Sequence, residues 1–209
     1  MGQTGDILKQ PVQFLKGVGP RRAESLKRLD IATVEDLLSH FPRDWQDRRT
    51  ASDLSRPLDG SLAVVKGRVL KVKHFRAGPR MAIFKAELLA GDAQVAAVWF
   101  KHVSRRYDVF AALKADVTPG SDLWVVGRCE PSLLGAREVR VEEYYPLADP
   151  RASLHVERLV PVYALTEGIS QRFLRELMHA ALAAAEHERR EPLPPRLLEE
   201  RRLPAYPQA

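Results

Sequence analysis

The chain has 209 residues, 45% of them apolar and 29% charged, with a formal net charge of +6; this is enough to bury one or two cores and excludes disorder throughout. The opening MGQTGDILKQPVQF carries no basic leader ahead of an apolar run, and no stretch approaches the length of a bilayer span, so the expectation is a cytoplasmic protein with no membrane partner. A single cysteine, Cys129, rules out an internal disulfide and a zinc site of several thiolates, which leaves it as small core filler.

Residues 11–60 read as short helices. Pro20 stands where a helix starts without losing a needed N–H, Gly17 and Gly19 supply the turn before it, and Arg21, Ala23, Leu26 and Leu29 continue at helical spacing. Thr33 followed by Asp36 predicts a capped helix through Leu37 and Leu38 that ends near Phe41–Pro42. The phrase LKGVGPRRAESL resembles a helix-hairpin-helix, in which turn and helix-start N–H groups hold a DNA phosphate; Gly17, Gly19, Arg21 and Arg22 are the candidate contacts. A compact helical hairpin that docks on neighbouring protein is the other reading, and the near-zero net charge of the segment favours it slightly. DWQDRRTASDLSRPLDG has no periodicity and reads as a linker.

Residues 61–147 change character. Five runs rich in Val, Ile and aromatics predict strands at Leu62–Phe75, Met81–Leu89, Ala93–Phe100, Leu123–Cys129 and Glu138–Leu147, with a helix-compatible stretch from Lys101 to Ala115 between the third and fourth. That is the plan of an OB-fold barrel, whose second and third strands and adjoining loops bind oligonucleotides. The fold class is therefore α+β with a mainly β core: a five-stranded barrel flanked by N-terminal short helices and a C-terminal helical segment. Its divisions are 1–60, 61–147 and 148–209.

Charge concentrates on the barrel. Lys66, Arg68, Lys71, Lys73, Arg76, Arg80, Lys85, Lys101, Arg105 and Arg106 face only Glu87 and Asp92 across this span, whereas residues 1–60 hold ten basic and nine acidic side chains and residues 148–209 nine of each. A solvated strand face is the plain explanation; a polyanion site fits the segmental excess better. Phe75, Phe84, Trp99 and Trp124 are expected in the core. Alternation leaves Phe100 open, because both faces of its strand are apolar.

The last segment starts with the extended LVPVYALTEG. It continues with a helix from about Gln171 to Glu188, capped by Ser170 and striped with Leu174, Leu177, Met178, Ala181, Leu182 and Ala185, and it ends in a proline-rich piece around a short helix at Arg196–Arg202. No glycine precedes a lysine, so the phosphate cradle of an ATPase is missing; the six histidines form no H-x-H or H-E-x-x-H pair, and Glu142–Glu143 and Glu199–Glu200 diverge, so neither metal nor catalytic residues are expected.

FLKGVGPRRAESLKRLDIATVEDLLSHFPRDWQDRR, AAVWF and LVPVYALTEGISQRFLRELMHAAL together resemble the N-terminal wedge region of RecG-type ATP-dependent DNA helicases, over roughly Phe14 to Leu203. The resemblance implies a wedge for stalled forks and Holliday junctions, in DNA repair and recombination. The motor domains are absent, with their ATP and magnesium. A monomer, nucleoid association and a single-strand-binding-protein partner are further expectations. It also implies two aromatics that stack on unpaired bases. Phe100 matches the first; Ser104 stands where the second belongs, and Tyr107 is the nearest candidate in the longer stretch KHVSRRYDVFAALKADVTPG. Lys71, Lys73, Arg76, Arg80, Lys101, Arg105 and Arg106 are the candidate phosphate contacts. The alternatives are a stand-alone OB protein that binds single-stranded DNA, and a protein-docking module.

Overall fold

A computed structural model describes residues 7–53, 60–131, 137–186 and 193–204. Its chain order is α1 (Pro20–Lys27), α2 (Val34–Leu38), β1 (Asp44–Asp47), β2 (Leu62–Arg76), β3 (Met81–Ala90), β4 (Ala93–His102), α3 (Ala111–Asp116), β5 (Asp122–Pro131), β6 (Arg137–Pro146), β7 (Leu159–Val162), α4 (Gln171–Ala184) and α5 (Pro195–Arg201). These gather into two compact units, Met1–Trp45 with Pro161–Ala209, and Gln46–Val160. None of the described helices is long and apolar enough to cross a membrane.

In the second unit, strands β2-β3-β4-β6-β5 close into a barrel. Every neighbouring pair is antiparallel except β4 with β6, which run parallel. This is the OB-fold expected from the five runs. The interior is filled by Val65, Val69, Phe84, Ala86, Leu88, Val95, Ala97, Trp99, Leu123, Val125, Cys129 and Val139, and Phe110, Leu113 and Val117 in and beside α3 join the same core. The helix between the third and fourth barrel strands is shorter than the Lys101–Ala115 stretch: Lys101 and His102 still belong to β4, and residues 103–110 form a loop.

The barrel closes because β2 serves two neighbours. Leu62–Arg68 pairs with β5, and Arg68–Arg76 pairs with β3. The register slips between Val69 and Lys71, leaving Leu70 as the extra residue of a bulge. Because side chains alternate with a period of two, one extra residue exchanges inside for outside along the rest of the strand. A second slip lies where Gly127 meets β6. There a Cβ on residue 127 would sit 2.1 Å from the Arg140 carbonyl oxygen, a contact that only glycine avoids.

The segment read as a linker contains structure. Asp44–Asp47 forms β1 and pairs with β7 as a two-stranded sheet. Next to it Arg48 is 1% exposed. Its guanidinium donates to Gln46 Oε1 at 2.6 and 3.0 Å, to Glu143 Oε2 at 2.9 Å and to the His155 carbonyl at 3.1 Å. The Tyr145 hydroxyl also donates to Glu143, and the Tyr145 ring stacks on His155 at 4.6 Å. A buried charge is tolerated when it is paired and its donors are used, as here. Nothing in the local sequence periodicity marks this network, because its members are far apart in the chain. Residues 54–59 of the same segment lie outside the described residues.

The other unit joins the two ends of the chain in one core. Val12, Val18, Ala23, Leu26, Ile31, Val34 and Leu37 pack with Tyr163, Ile169, Leu174, Leu177, Met178 and Ala181. The Leu174–Ala185 stripe of α4 is buried as its spacing requires, except Leu182, which is 38% exposed. Ser170 caps α4, its hydroxyl accepting from Phe173 N at 3.2 Å. The helix ends at Ala184, and Glu188, its expected end, falls outside the described residues. Thr33 and Asp36 form the predicted capping box: Thr33 Oγ1 accepts from Asp36 N at 3.2 Å and Asp36 Oδ2 accepts from Thr33 N at 2.8 Å.

Two stability predictions follow from these contacts. Gly127→Ala is expected to cost more than about 2 kcal/mol, because backbone on both strands must shift; a urea midpoint equal to the parent's would show that the strands yield freely. Asp36→Ala is expected to cost about 1 kcal/mol at neutral pH. Backbone N–H bonds from Thr33, with the Thr33 side chain and Ala32 N–H, hold the Asp36 carboxyl below the usual Asp range. Its contribution is therefore complete above that range and is lost as pH falls through the lowered value, so the stability gap between parent and variant should narrow in acid. A gap that stays constant down to pH 2 would contradict this.

Candidate nucleic-acid interface

The bulge at Leu70 decides what the outer barrel face presents. Beyond it Val72, His74 and Arg76 take the inward phase, and Lys71, Lys73 and Phe75 turn outward. Three rows result. Lys71 lies opposite Glu87, which faces Ala96; Lys73 opposite Lys85, which faces Val98; and Phe75 opposite Ile83, which faces Phe100. Phe75 is 52% exposed, against its expected place in the core, because unbroken alternation from Val65 and Val69 would have turned it inward. Phe84, Trp99 and Trp124 are buried as expected. Phe100 is 41% exposed, with the Arg140 guanidinium 5.4 Å from its ring centroid.

Two loops meet at the end of this face. The β2–β3 loop turns through Gly78 at φ +108°, a conformation that glycine adopts without strain. It is closed by Ala77 N donating to the Met81 carbonyl at 2.9 Å, and it is tied to the segment after β4 by Val103 N donating to the Arg80 carbonyl at 2.9 Å. In that segment Ser104 Oγ accepts from Arg106 N at 3.1 Å, so Ser104 shapes the turn. Tyr107, three residues on, is 70% exposed. Asp108 fixes the end of the loop by accepting from Lys114 Nζ at 2.8 Å and from Phe110 N at 2.9 Å. The Lys114 bond first, then the Phe110 N–H, holds its carboxyl below the ordinary Asp range.

Apart from Lys66, whose Nζ lies 5.2 Å from the Trp124 ring centroid, and Arg137, the basic side chains of the barrel divide into two sets. Arg68 pairs with Asp122 at 3.0 Å, Lys114 with Asp108 at 2.8 Å, Arg128 with Glu142 at 3.3 Å and Arg140 with Glu130 at 3.6 Å, and Lys85 pairs with Glu138. Among the described residues Lys71, Lys73, Arg76, Arg80, Lys101, Arg105 and Arg106 make no ion pair, and all are exposed. Arg76, Arg80, Lys101, Arg105 and Arg106 border the two joined loops, and Lys71 and Lys73 line the strand that leads to them. Glu142 and Glu143 diverge as their adjacency requires, one to Arg128 and the other to Arg48. The loop between β5 and β6, also part of an OB-fold's binding surface, falls on residues 132–136, outside the described residues.

The helix-hairpin-helix candidates lie in the other unit. Gly17, Gly19 and Arg21 are exposed, and Gly17 has φ +90°. Arg22 is engaged within its own unit: its Nη1 donates to the Gly17 carbonyl at 2.7 Å and its guanidinium lies 4.2 Å from the Phe173 ring centroid. Val18, Ala23 and Leu26 are buried in the core that α4 shares. No group of three or more His, Cys, Asp or Glu side chains among the described residues is placed to hold a metal. No glycine is followed by lysine anywhere in the chain, so it carries no phosphate cradle of the G-x-x-x-x-G-K-[ST] kind.

Comparison with known proteins bears on this arrangement. The RecG wedge domain family model matches residues 11–185. The ATP-dependent DNA helicase RecG of Thermotoga maritima is 33% identical over 199 residues, covering 94% of this chain and 24% of that protein. RecG of Escherichia coli K12 is 30% identical over 172 residues, covering 82% and 23%. The solved structure of RecG bound to a three-way DNA junction superposes with a TM-score of 0.77 at 31% identity, covering 98% of this chain and 27% of that one. The chain thus spans about a quarter of the length of the relatives it matches. With a family match over residues 11–185 and a relative 33% identical over 94% of this chain, the chain belongs to the RecG wedge domain family.

Proposed function

We propose that this chain is the branched-DNA-binding wedge of an ATP-dependent DNA helicase, which holds the arms of a fork or Holliday junction apart around the barrel. One observation carries the reading: seven exposed cations without acidic partners and three exposed rings, Phe75, Phe100 and Tyr107, collect on one face and end of an OB barrel, while Arg68, Lys85, Lys114, Arg128 and Arg140 are paired with acids. The similarity to a RecG structure determined on a three-way junction supports it. Lys71, Lys73, Arg76, Arg80, Lys101, Arg105 and Arg106 contact phosphates, and Phe100 and Tyr107 stack on unpaired bases at the branch. Neither kind of contact reads base edges, so the wedge selects branch shape over sequence. The motor that hydrolyses ATP with magnesium belongs to other domains of the helicase.

The test is competition binding of three-way junction, linear duplex and single strand to the purified chain at moderate salt. The junction is expected to bind best; equal affinity for junction and duplex would defeat the reading. Phe100→Ala is expected to weaken junction binding by about 1–3 kcal/mol with an unchanged urea midpoint; an unfolded variant would make Phe100 a packing residue instead. Arg80→Ala and Arg105→Ala should each lower the slope of log affinity against log salt by roughly 0.9, the signature of one lost phosphate contact.

A further inference from the structure

The outer barrel face continues past β4 onto β6 and β5. In the sheet register Lys73 lies opposite Lys85, Lys85 opposite Val98, Val98 opposite Arg140 and Arg140 opposite Arg128, so one row across the five strands holds four cations. The row beside it runs Lys71, Glu87, Ala96, Glu138 and Glu130 and holds three carboxylates. Like charges directly opposite one another are unfavourable in a sheet, and both rows contain them: Lys73 with Lys85, Arg140 with Arg128, and Glu138 with Glu130.

The rows offset each other on the diagonal. Lys85 on β3 reaches across β4 to pair with Glu138 on β6, and Arg140 on β6 pairs with Glu130 on β5 at 3.6 Å. Strand β4 permits the first pair because its outward residues there are small. Ala96 and Val98 face outward yet are only 7% and 5% exposed, the burial expected where long side-chain stems lie over them. Lys71 and Lys73, at the β2 end of the rows, make no ion pair.

The barrel does not need these pairs to stay closed. The β4–β6 and β5–β6 ladders and the apolar interior hold it, and ion pairs at a surface add little to stability. Their effect on a polyanion is larger. Two cations next to Lys73 and Phe100 are cancelled, and two carboxylates stand beside the path that a phosphate backbone would follow across the face.

We infer that Glu138 and Glu130 are specificity-determining residues: they hold Lys85 and Arg140 back from phosphate, and so keep the general affinity for duplex low enough for branch-dependent contacts to decide binding. The inference rests on the wedge reading for its DNA, but it concerns acidic side chains that the wedge reading leaves without a role. The glutamates act as an electrostatic brake on the face.

The test measures binding of linear duplex and three-way junction to the full chain as a function of salt. Glu138→Gln and Glu130→Gln are each expected to tighten duplex binding several-fold and to steepen the slope of log affinity against log salt by roughly 0.9, one added phosphate contact. The ratio of junction to duplex affinity should fall in both. Lys85→Gln alone should leave the slope unchanged, because that cation is already neutralised; combined with Glu138→Gln it should restore the parental slope. The two ion pairs are separate, so the Glu130 variant carries the test if the Glu138 variant lowers the urea midpoint. Unchanged slopes in the folded glutamate variants overturn the inference, and so does a gain in Glu138→Gln that persists without Lys85. The parent titrations report on the wedge reading separately: equal affinity for junction and duplex sinks the wedge, whereas junction preference with unchanged slopes sinks the brake alone.

Discussion

Strand β2 carries one residue more than its partner needs. A strand has only two faces, so the extra residue at Leu70 sets the phase of the side chains beyond it: Val72 packs against the barrel core, His74 follows the same phase at the exposed barrel end, and Lys71, Lys73 and Phe75 go to the outer face. Without the slip the two lysines would point into an apolar core. Their burial would cost several kcal/mol each, and the strand would have to end early. The bulge thus allows one long strand to close the barrel with β5 through its first half and to build the basic face through its second.

Closure and charge are linked by the same register. Where β2 meets β5 and β5 meets β6, cross-strand neighbours bring Arg68 to Asp122, Arg128 to Glu142 and Arg140 to Glu130, and the field there is cancelled locally. The two joined loops supply no comparable acids except Asp108, which Lys114 already engages. The field of the barrel therefore concentrates at one end, even though the formal excess of the whole chain is only +6. A low-dielectric barrel wall behind such a cluster strengthens its attraction for polyanions.

The sequence made the barrel legible because each strand carries its own apolar alternation, and the caps at Thr33 and Ser170 because their donors and acceptors lie three residues apart. The unpaired basic cluster was also visible, as composition alone shows where acids are missing. Three features were not. The outward turn of Phe75 depends on a bulge that no residue type announces. The Arg48 network joins positions as far apart as 48, 143 and 155, so it has no local signature. The strand in Asp44–Asp47 lacks apolar alternation, since its pattern is polar and mostly exposed, and it forms because β7 offers it a partner. A slip against the pattern or a long-range partner can be recognised only when the neighbouring strands are in place.

The cations and the rings on the proposed interface respond differently to conditions. Phosphate contacts weaken steeply with salt because they release counterions, whereas stacking on Phe75, Phe100 or Tyr107 buries an uncharged face and changes little. On the proposed reading the cation cluster dominates at low salt and would hold any duplex. As salt rises that general affinity fades faster than the contribution of the rings, which only a substrate with unpaired bases can use. A preference for a branch would therefore widen with ionic strength over the range in which binding remains measurable. On the proposed reading, the same seven cations that would bring DNA to the barrel are, at low salt, what would mask a preference for a fork.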